Sequence, residues 1–349
     1  MKNRSSLLSA FLLAVPLVTG AGLAMAQTVT IKFSHFLAPN SNFHTGVAQP
    51  WCSAIEKDSG GKLKCQLYPA MQLGGTPSQL ADQVKNGVAD VVWTSPSFST
   101  GRFPKTEALE LPFILPPGGL QGARAMWEYV QKNAQDDYND YKVLAIFSST
   151  NIVISTANTP VLELNGFKGL KLRGPTHFSA LFLKALGSTP ITMPVSQVTE
   201  GISKGVIDGV IAPWEVLPST KIDEVTKYHM EGGPSQPGLS QTPMAVLMNK
   251  KKYEGLPPEL KAVIDKHSGL AMSEMAGKAW DAGNEAAKKK MAAEGHRILV
   301  IKDADYDALK KATASVEADW IKQANAKGLD GDKLVADVRA FGKKYMTAK

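Results

Sequence analysis

The chain has 349 residues, 44% hydrophobic and 20% charged, with a formal net charge of +7. That length exceeds what one hydrophobic core usually organises and points to two domains. The basic excess is mild, and its lysines lie along helical stretches near the C-terminus without interleaved aromatics, which marks solvated helix faces and excludes a nucleic-acid footprint.

At the N-terminus Lys2 and Arg4 precede an apolar run from Leu7 to Val18, and small residues end in Ala24-Met25-Ala26. The run is shorter than the roughly 20 residues a membrane-spanning helix needs, and Ala-x-Ala fits a cleavage site, so residues 1–26 read as a secretory signal peptide. Cleavage after Ala26 would leave a periplasmic chain starting at Gln27, its net charge lowered from +7 to +5 by the loss of Lys2 and Arg4. A one-pass anchor is the alternative, but no stop-transfer pattern follows. No Cys follows the cleavage site to carry a lipid.

Cys52 and Cys65 both lie in the exported part, and an even count in an oxidising compartment predicts one disulfide. Thr45 to Asp58 reads as a helix, Gly60-Gly61 as its stop and Leu63 to Tyr68 as a strand returning along it, so the bridge would staple helix to strand. Two buried free thiols are the other reading. Further strands are predicted at Val29–His35, Val88–Thr94, Val143–Ser149 and Lys171–Arg173, with a helix at Gln79–Asn86, and this alternation is an α/β pattern. After Pro257-Pro258 the chain reads as one helix from Glu259 to about Glu294, about 50 Å long at 1.5 Å per residue and able to span two lobes. Gly269, Gly277 and Gly283 are places for a kink or a close approach. No sequence repeat and no low-complexity linker is apparent, so chain exchange between domains is expected through short crossovers.

Arg173 stands out on physical grounds. It ends the alternation Leu170-Lys171-Leu172-Arg173, and Gly174-Pro175 stops the strand there, which puts the guanidinium at a strand tip. Strand ends of α/β lobes are where small ligands sit, and a planar guanidinium holds a carboxylate through two parallel hydrogen bonds. A surface arginine in a solvated pair is the plainer alternative.

Three segments carry a family resemblance. They are Pro69-Ala70-Met71-Gln72-Leu73-Gly74-Gly75 with Gln83 to Asp90, then Leu164-Asn165-Gly166-Phe167-Lys168-Gly169-Leu170-Lys171-Leu172-Arg173-Gly174-Pro175, then Leu186 to Pro194 followed by Ser196-Gln197-Val198 and Lys204-Gly205-Val206-Ile207-Asp208-Gly209. In this order the chain resembles a TRAP-transporter solute-binding protein of the DctP family. The resemblance implies a two-lobed α/β periplasmic-binding-protein fold with discontinuous lobes and a lobe-spanning helix. Lobe one would hold 27–148 plus about 239–278, and lobe two 149–238 plus about 279–349. It also implies a small-molecule carboxylate as ligand, Arg173 as its clamp, and the TRAP transporter membrane subunits as partners of a monomer.

The chain departs from the family's usual pattern. Val210-Ile211-Ala212-Pro213 stands where many relatives have Gln-Glu-Asn-Pro, and Gln197 replaces a frequent acidic residue. The region Ser149-Thr150-Asn151-Ile152-Val153 lacks the second arginine that relatives binding dicarboxylates or sialic acid often carry. Aromatic residues instead flank the expected cleft: Phe36, Trp93, Phe178 and Trp214, the last beside Pro213. One cation with several rings suits an apolar or aromatic monocarboxylate, a 2-oxo or 2-hydroxy acid included. His35 and Asn151 are candidates for added hydrogen bonds, and any ring or histidine among these has ordinary core packing as its alternative.

The six histidines, at 35, 44, 177, 229, 267 and 296, show no tight metal-ligand spacing, and no nucleophile elbow or Walker loop appears. No catalytic residue, metal or cofactor is therefore expected. An exported carboxylate-sensing ectodomain is the first alternative to transport, and a secreted enzyme the second.

Overall fold

The computed structural model describes residues 28–150 and 152–346. The expected signal peptide and Asn151 lie outside them. The chain is a two-lobed α/β protein with one sheet in each lobe. The first module runs β1 (Val29–Ser34), α1 (Gln49–Asp58), β2 (Leu63–Tyr68), α2 (Leu80–Lys85) and β3 (Val91–Thr94). In β1 the apolar Ile31 and Phe33 point into the core while Lys32 stays outside, the two-residue alternation of a strand with one buried face. Helix α1 continues a π-type turn over His44–Ala48. It ends where Gly60 and Gly61 take positive φ, and Cys52 and Cys65 then join α1 to β2 with their Cα atoms 5.6 Å apart.

The chain crosses by α3 (Gly119–Asn133) and β4 (Tyr141–Ser148) into the second lobe, where β5 (Val153–Thr156), β6 (Lys171–Gly174), α4 (His177–Ala185), β7 (Thr189–Thr192), α5 (Val198–Ser203), β8 (Gly209–Ala212), α6 (Val216–Ser219) and β9 (Tyr228–Glu231) follow. Strand β10 (Pro243–Asn249) returns to the first lobe. The first sheet has the order β2-β1-β3-β10-β4, with β1 parallel to β2 and β3, and β10 antiparallel to β3 and β4. The second has the order β11-β9-β5-β8-β6-β7, where β11 is Arg297–Val300, β6 is parallel to β7 and β8, and β5 is antiparallel to β8.

The sheets therefore repeat one module, and the sequence carries the repeat that a single pass along it does not reveal. Ser78-Gln79, Gly87-Val88 and Asp90 recur at one constant offset as Ser196-Gln197, Gly205-Val206 and Asp208. In each lobe the aspartate accepts the backbone N–H of a lysine on the neighbouring parallel strand, Lys32 to Asp90 at 2.8 Å and Lys171 to Asp208 at 2.7 Å. Each lysine's Nζ then reaches a carbonyl of the loop before that aspartate, Val88 at 2.7 Å and Gly205 at 3.0 Å.

Helices α7 (Lys250–Glu254) and α8 (Pro258–Lys266) precede α9 (Leu270–Ala293). The single helix expected from Glu259 to Glu294 is thus broken, because Gly269 takes φ +70° and donates its N–H to Leu144 O. Helix α9 spans about 36 Å by itself. Its first half buries Met272, Ala276 and Trp280 in the first lobe and its second half Ala287 and Met291 in the second. At Gly277 a Cβ would stand 2.5 Å from the carbonyl oxygen of Gly119, so two glycines allow α9 and α3 to touch, and Asp281 accepts the N–H groups of Gly119 and Leu120 at the start of α3.

Helix α10 (Asp303–Ala312) packs Tyr306 and Leu309 into the second lobe's core. Helices α11 (Ala314–Ala326) and α12 (Gly331–Met346) then share a core with Met126, Tyr129 and Val130 of α3. The C-terminal helix pair thus packs on α3 of the first lobe and also meets Phe178 of α4 in the second. The short strands β5, β7, β8, β9 and β11, four residues each, and the seven-residue β10 were not anticipated.

Candidate functional site

A cavity of about 540 Å³ lies between the sheets, walled by residues at or just beyond the C-terminal ends of β1, β3, β6 and β8. Parallel strands place their tips on the same side, which gathers these positions. Arg173, on β6 beside Ile191 of β7 and Val210 of β8, is 5% exposed and lines the cavity. Its Nε donates to Met193 O at 3.0 Å, and none of the described residues accepts from its Nη nitrogens or pairs with its charge. Burial pulls the guanidinium down to about 10, so it stays cationic at neutral pH. A buried cation that pairs with no charge among the described residues can take an anionic fork such as a carboxylate on its two Nη groups.

The first lobe supplies rings. Phe36 and Trp93 stack with centroids 4.5 Å apart, and Phe43 also stacks on Trp93 at 3.9 Å. Phe98 meets Phe36 edge-on at 5.6 Å, and Trp280 of α9 meets Trp93 at 5.8 Å. Phe36, Trp93, Phe98 and Trp280 all line the cavity.

Of the residues singled out in the sequence, Arg173, Pro213, Phe36 and Trp93 lie on the cavity wall, and Asn151 is outside the described residues. His35, Trp214 and Phe178 are not on the wall. His35 is fully buried behind Trp93, its Nε2 2.8 Å from His44 Nδ1, and burial pulls it down to about 3, so it is a neutral support of the ring stack. Trp214 is buried in the second lobe's core, donates its Nε1–H to Glu231 at 3.0 Å and packs against His229. Phe178, on the first turn of α4, is buried in the core it shares with α11, leaving its neighbour His177 on the wall.

Glu215 was missed. It lines the cavity, is 5% exposed, and neither carboxyl oxygen has a hydrogen-bond partner among the described residues. Burial alone pushes its carboxyl up to about 8. The available signal was a single charged residue in an otherwise apolar run from Val210 to Val216. Glu110 lies behind the wall, accepts from Thr176 of the second lobe and Thr242 of the first, and is pushed up to about 7 by burial. Among the described residues no group of three or more His, Cys, Asp or Glu side chains is gathered that could hold a metal ion.

The family described as "Bacterial extracellular solute-binding protein, family 7" (DctP) matches residues 33–323. The chain is similar to a TRAP solute-binding protein from Rhodoferax ferrireducens T118 whose crystal structure contains copurified benzoate, at 39% identity and TM-score 0.88 over 91% of this chain and 98% of that one. It is also similar to a marine-metagenome TRAP solute-binding protein specific for aromatic acid ligands, in complex with 3-hydroxybenzoate, at 42% identity and TM-score 0.88 over 91% and 99%. The C4-dicarboxylate-binding periplasmic protein DctP of Rhodobacter capsulatus is 26% identical over 308 residues, 85% of this chain and 84% of that protein.

Proposed function

The chain belongs to the bacterial extracellular solute-binding proteins of family 7, periplasmic components of TRAP transporters, and we propose that its solute is an aromatic monocarboxylate clamped by Arg173. One observation carries this reading: a single buried guanidinium, with both Nη groups uncommitted, shares a cavity with a stack of aromatic rings. The carboxylate answers the charge, and the ring of the ligand gains about 25 cal/mol for each Å² removed from water as well as the stacking preference of aromatic pairs. A second carboxylate would lose its hydration for no compensating cation, a cost of several kcal/mol. The similar proteins solved with benzoate and 3-hydroxybenzoate support the same class. In this reading residues 1–26 direct export, the mature chain is a monomer starting at Gln27, and the acid is passed to the TRAP membrane subunits chemically unchanged.

A thermal-shift panel tests it, since a ligand that binds only the folded state raises apparent stability. Benzoate and its hydroxylated or α-hydroxylated relatives should raise the unfolding midpoint, and succinate and malate at the same concentration should not. A panel in which the C4 dicarboxylates stabilise the protein and the aromatic acids do not overturns the assignment.

A further inference from the structure

We propose that Glu215 is a specificity-determining residue of this cavity, exchanging a hydrogen bond with a hydroxyl on the ring of the ligand, so that hydroxylated aromatic acids bind in preference to the unsubstituted ring. This rests on the aromatic-acid reading and adds to it a residue and a ligand substituent.

Three buried or half-buried acidic side chains of the two lobes differ in their environments, and of these only Glu215 lines the cavity. Glu231 is answered by Trp214 and by Lys288. Glu110 is answered on one oxygen by the hydroxyls of Thr176 and Thr242. Glu215 is answered on neither, although its main chain is firmly held: its N–H donates to Asn284 Oδ1 at 3.1 Å, and Asn284 in turn donates to Thr150 Oγ1 at 2.7 Å. Helix α9 and the crossover at Thr150 thus position a side chain whose carboxyl makes no bond among the described residues. A buried polar group without a partner is destabilising, so a purely structural role gives no reason to place a carboxyl there.

The charge state decides which ligand group fits. Held up at about 8 by burial, the carboxyl is mostly neutral at neutral pH. A neutral carboxyl offers one O–H donor and a carbonyl acceptor, the complement of a hydroxyl, which also donates and accepts. It does not repel the anionic end of the ligand, which Arg173 holds. An unsubstituted ring would leave Glu215 unpaired, and sites built around a substrate hydroxyl discriminate strongly against analogues lacking it for that reason.

Calorimetry with benzoate and 2-, 3- and 4-hydroxybenzoate on the wild type, Glu215→Gln and Glu215→Leu tests the inference. At least one hydroxybenzoate should bind the wild type about 10-fold or more tightly than benzoate. Glu215→Leu should bring that isomer within about threefold of benzoate, whereas Glu215→Gln, whose amide also donates and accepts, should keep most of the preference. If the wild type binds benzoate as tightly as every isomer, or if both variants weaken all four acids equally, Glu215 does not read the hydroxyl and the aromatic-acid assignment stands without it. If none of the four acids binds the wild type, both readings fall together.

Discussion

Strands β1 and β3 of the first lobe and β6 and β8 of the second meet in the same parallel register, Phe33 opposite Val91 and Ser34 opposite Val92 in one, Leu172 opposite Gly209 and Arg173 opposite Val210 in the other. The same lysine-to-aspartate lock closes both modules. Two residues beyond the locked lysine the first lobe has Ser34 and the second Arg173, and seven beyond the aspartate the first has Ser97 and the second Glu215. Three beyond it stand Trp93 and Ile211. One backbone frame therefore serves two chemistries: the first lobe contributes a ring stack and the second a cation and an acid. Strand pairing sets where a side chain meets the cavity, while the residue type at the strand tip sets the chemistry it brings there.

Substituting the equivalent positions breaks or sharpens this comparison most strongly at Arg173. Arg173→Ala should weaken binding of the aromatic acid by about 2–5 kcal/mol, and Arg173→Lys should also bind poorly because an ammonium cannot reproduce the planar fork. Ser34→Ala, at the matching place in the first lobe, should leave affinity within about threefold of the wild type, since no residue type there offers a charge. Titration calorimetry reads all three, and equal losses at the two positions would end the division of labour between lobes.

The disulfide is a second asymmetry. Cys52–Cys65 ties α1 to β2, whereas the matching pair α4 and β7 carries no cysteine. Replacing both cysteines by alanine should lower unfolding stability in urea by about 3 kcal/mol while leaving ligand affinity unchanged. A loss of affinity in the folded variant would mean that the staple reaches the site. The smallest effect concerns the locks: Asp90→Asn and Asp208→Asn each weaken a charge-assisted bond to a backbone N–H, the former also loosening the 3.7 Å pair of Asp90 with Lys252, and should cost about 1–2 kcal/mol each in urea unfolding. Costs differing by more than about 2 kcal/mol would show that the two locks are not equivalent.

Much of this was legible in the sequence where local rules govern. Val29–Ser34 and Leu63–Tyr68 show strand alternation, Gly60-Gly61 stops α1, and Gly174-Pro175 marks the strand tip that carries Arg173. What failed depends on long-range geometry. Strand Gly209–Ala212 is buried on both faces and so shows no alternation, and its identity comes from partners far along the chain. Trp214 and Glu215 are adjacent, and which of them meets the cavity is set by the turn after β8 and by Asn284 of α9. A ring invites assignment to an aromatic ligand, yet Trp214 is held in the core by Glu231 and the unpartnered carboxyl is on the wall. The break at Gly269 was marked by a glycine, but only the bond to Leu144 shows that it redirects the chain.

A crystal structure with bound benzoate tests the Arg173 clamp. Both carboxylate oxygens should lie about 2.7–3.0 Å from the Nη nitrogens of Arg173, with the ring seated against Phe36 and Trp93. A carboxylate bound elsewhere in the cavity, with the Arg173 guanidinium making only protein contacts, would contradict it.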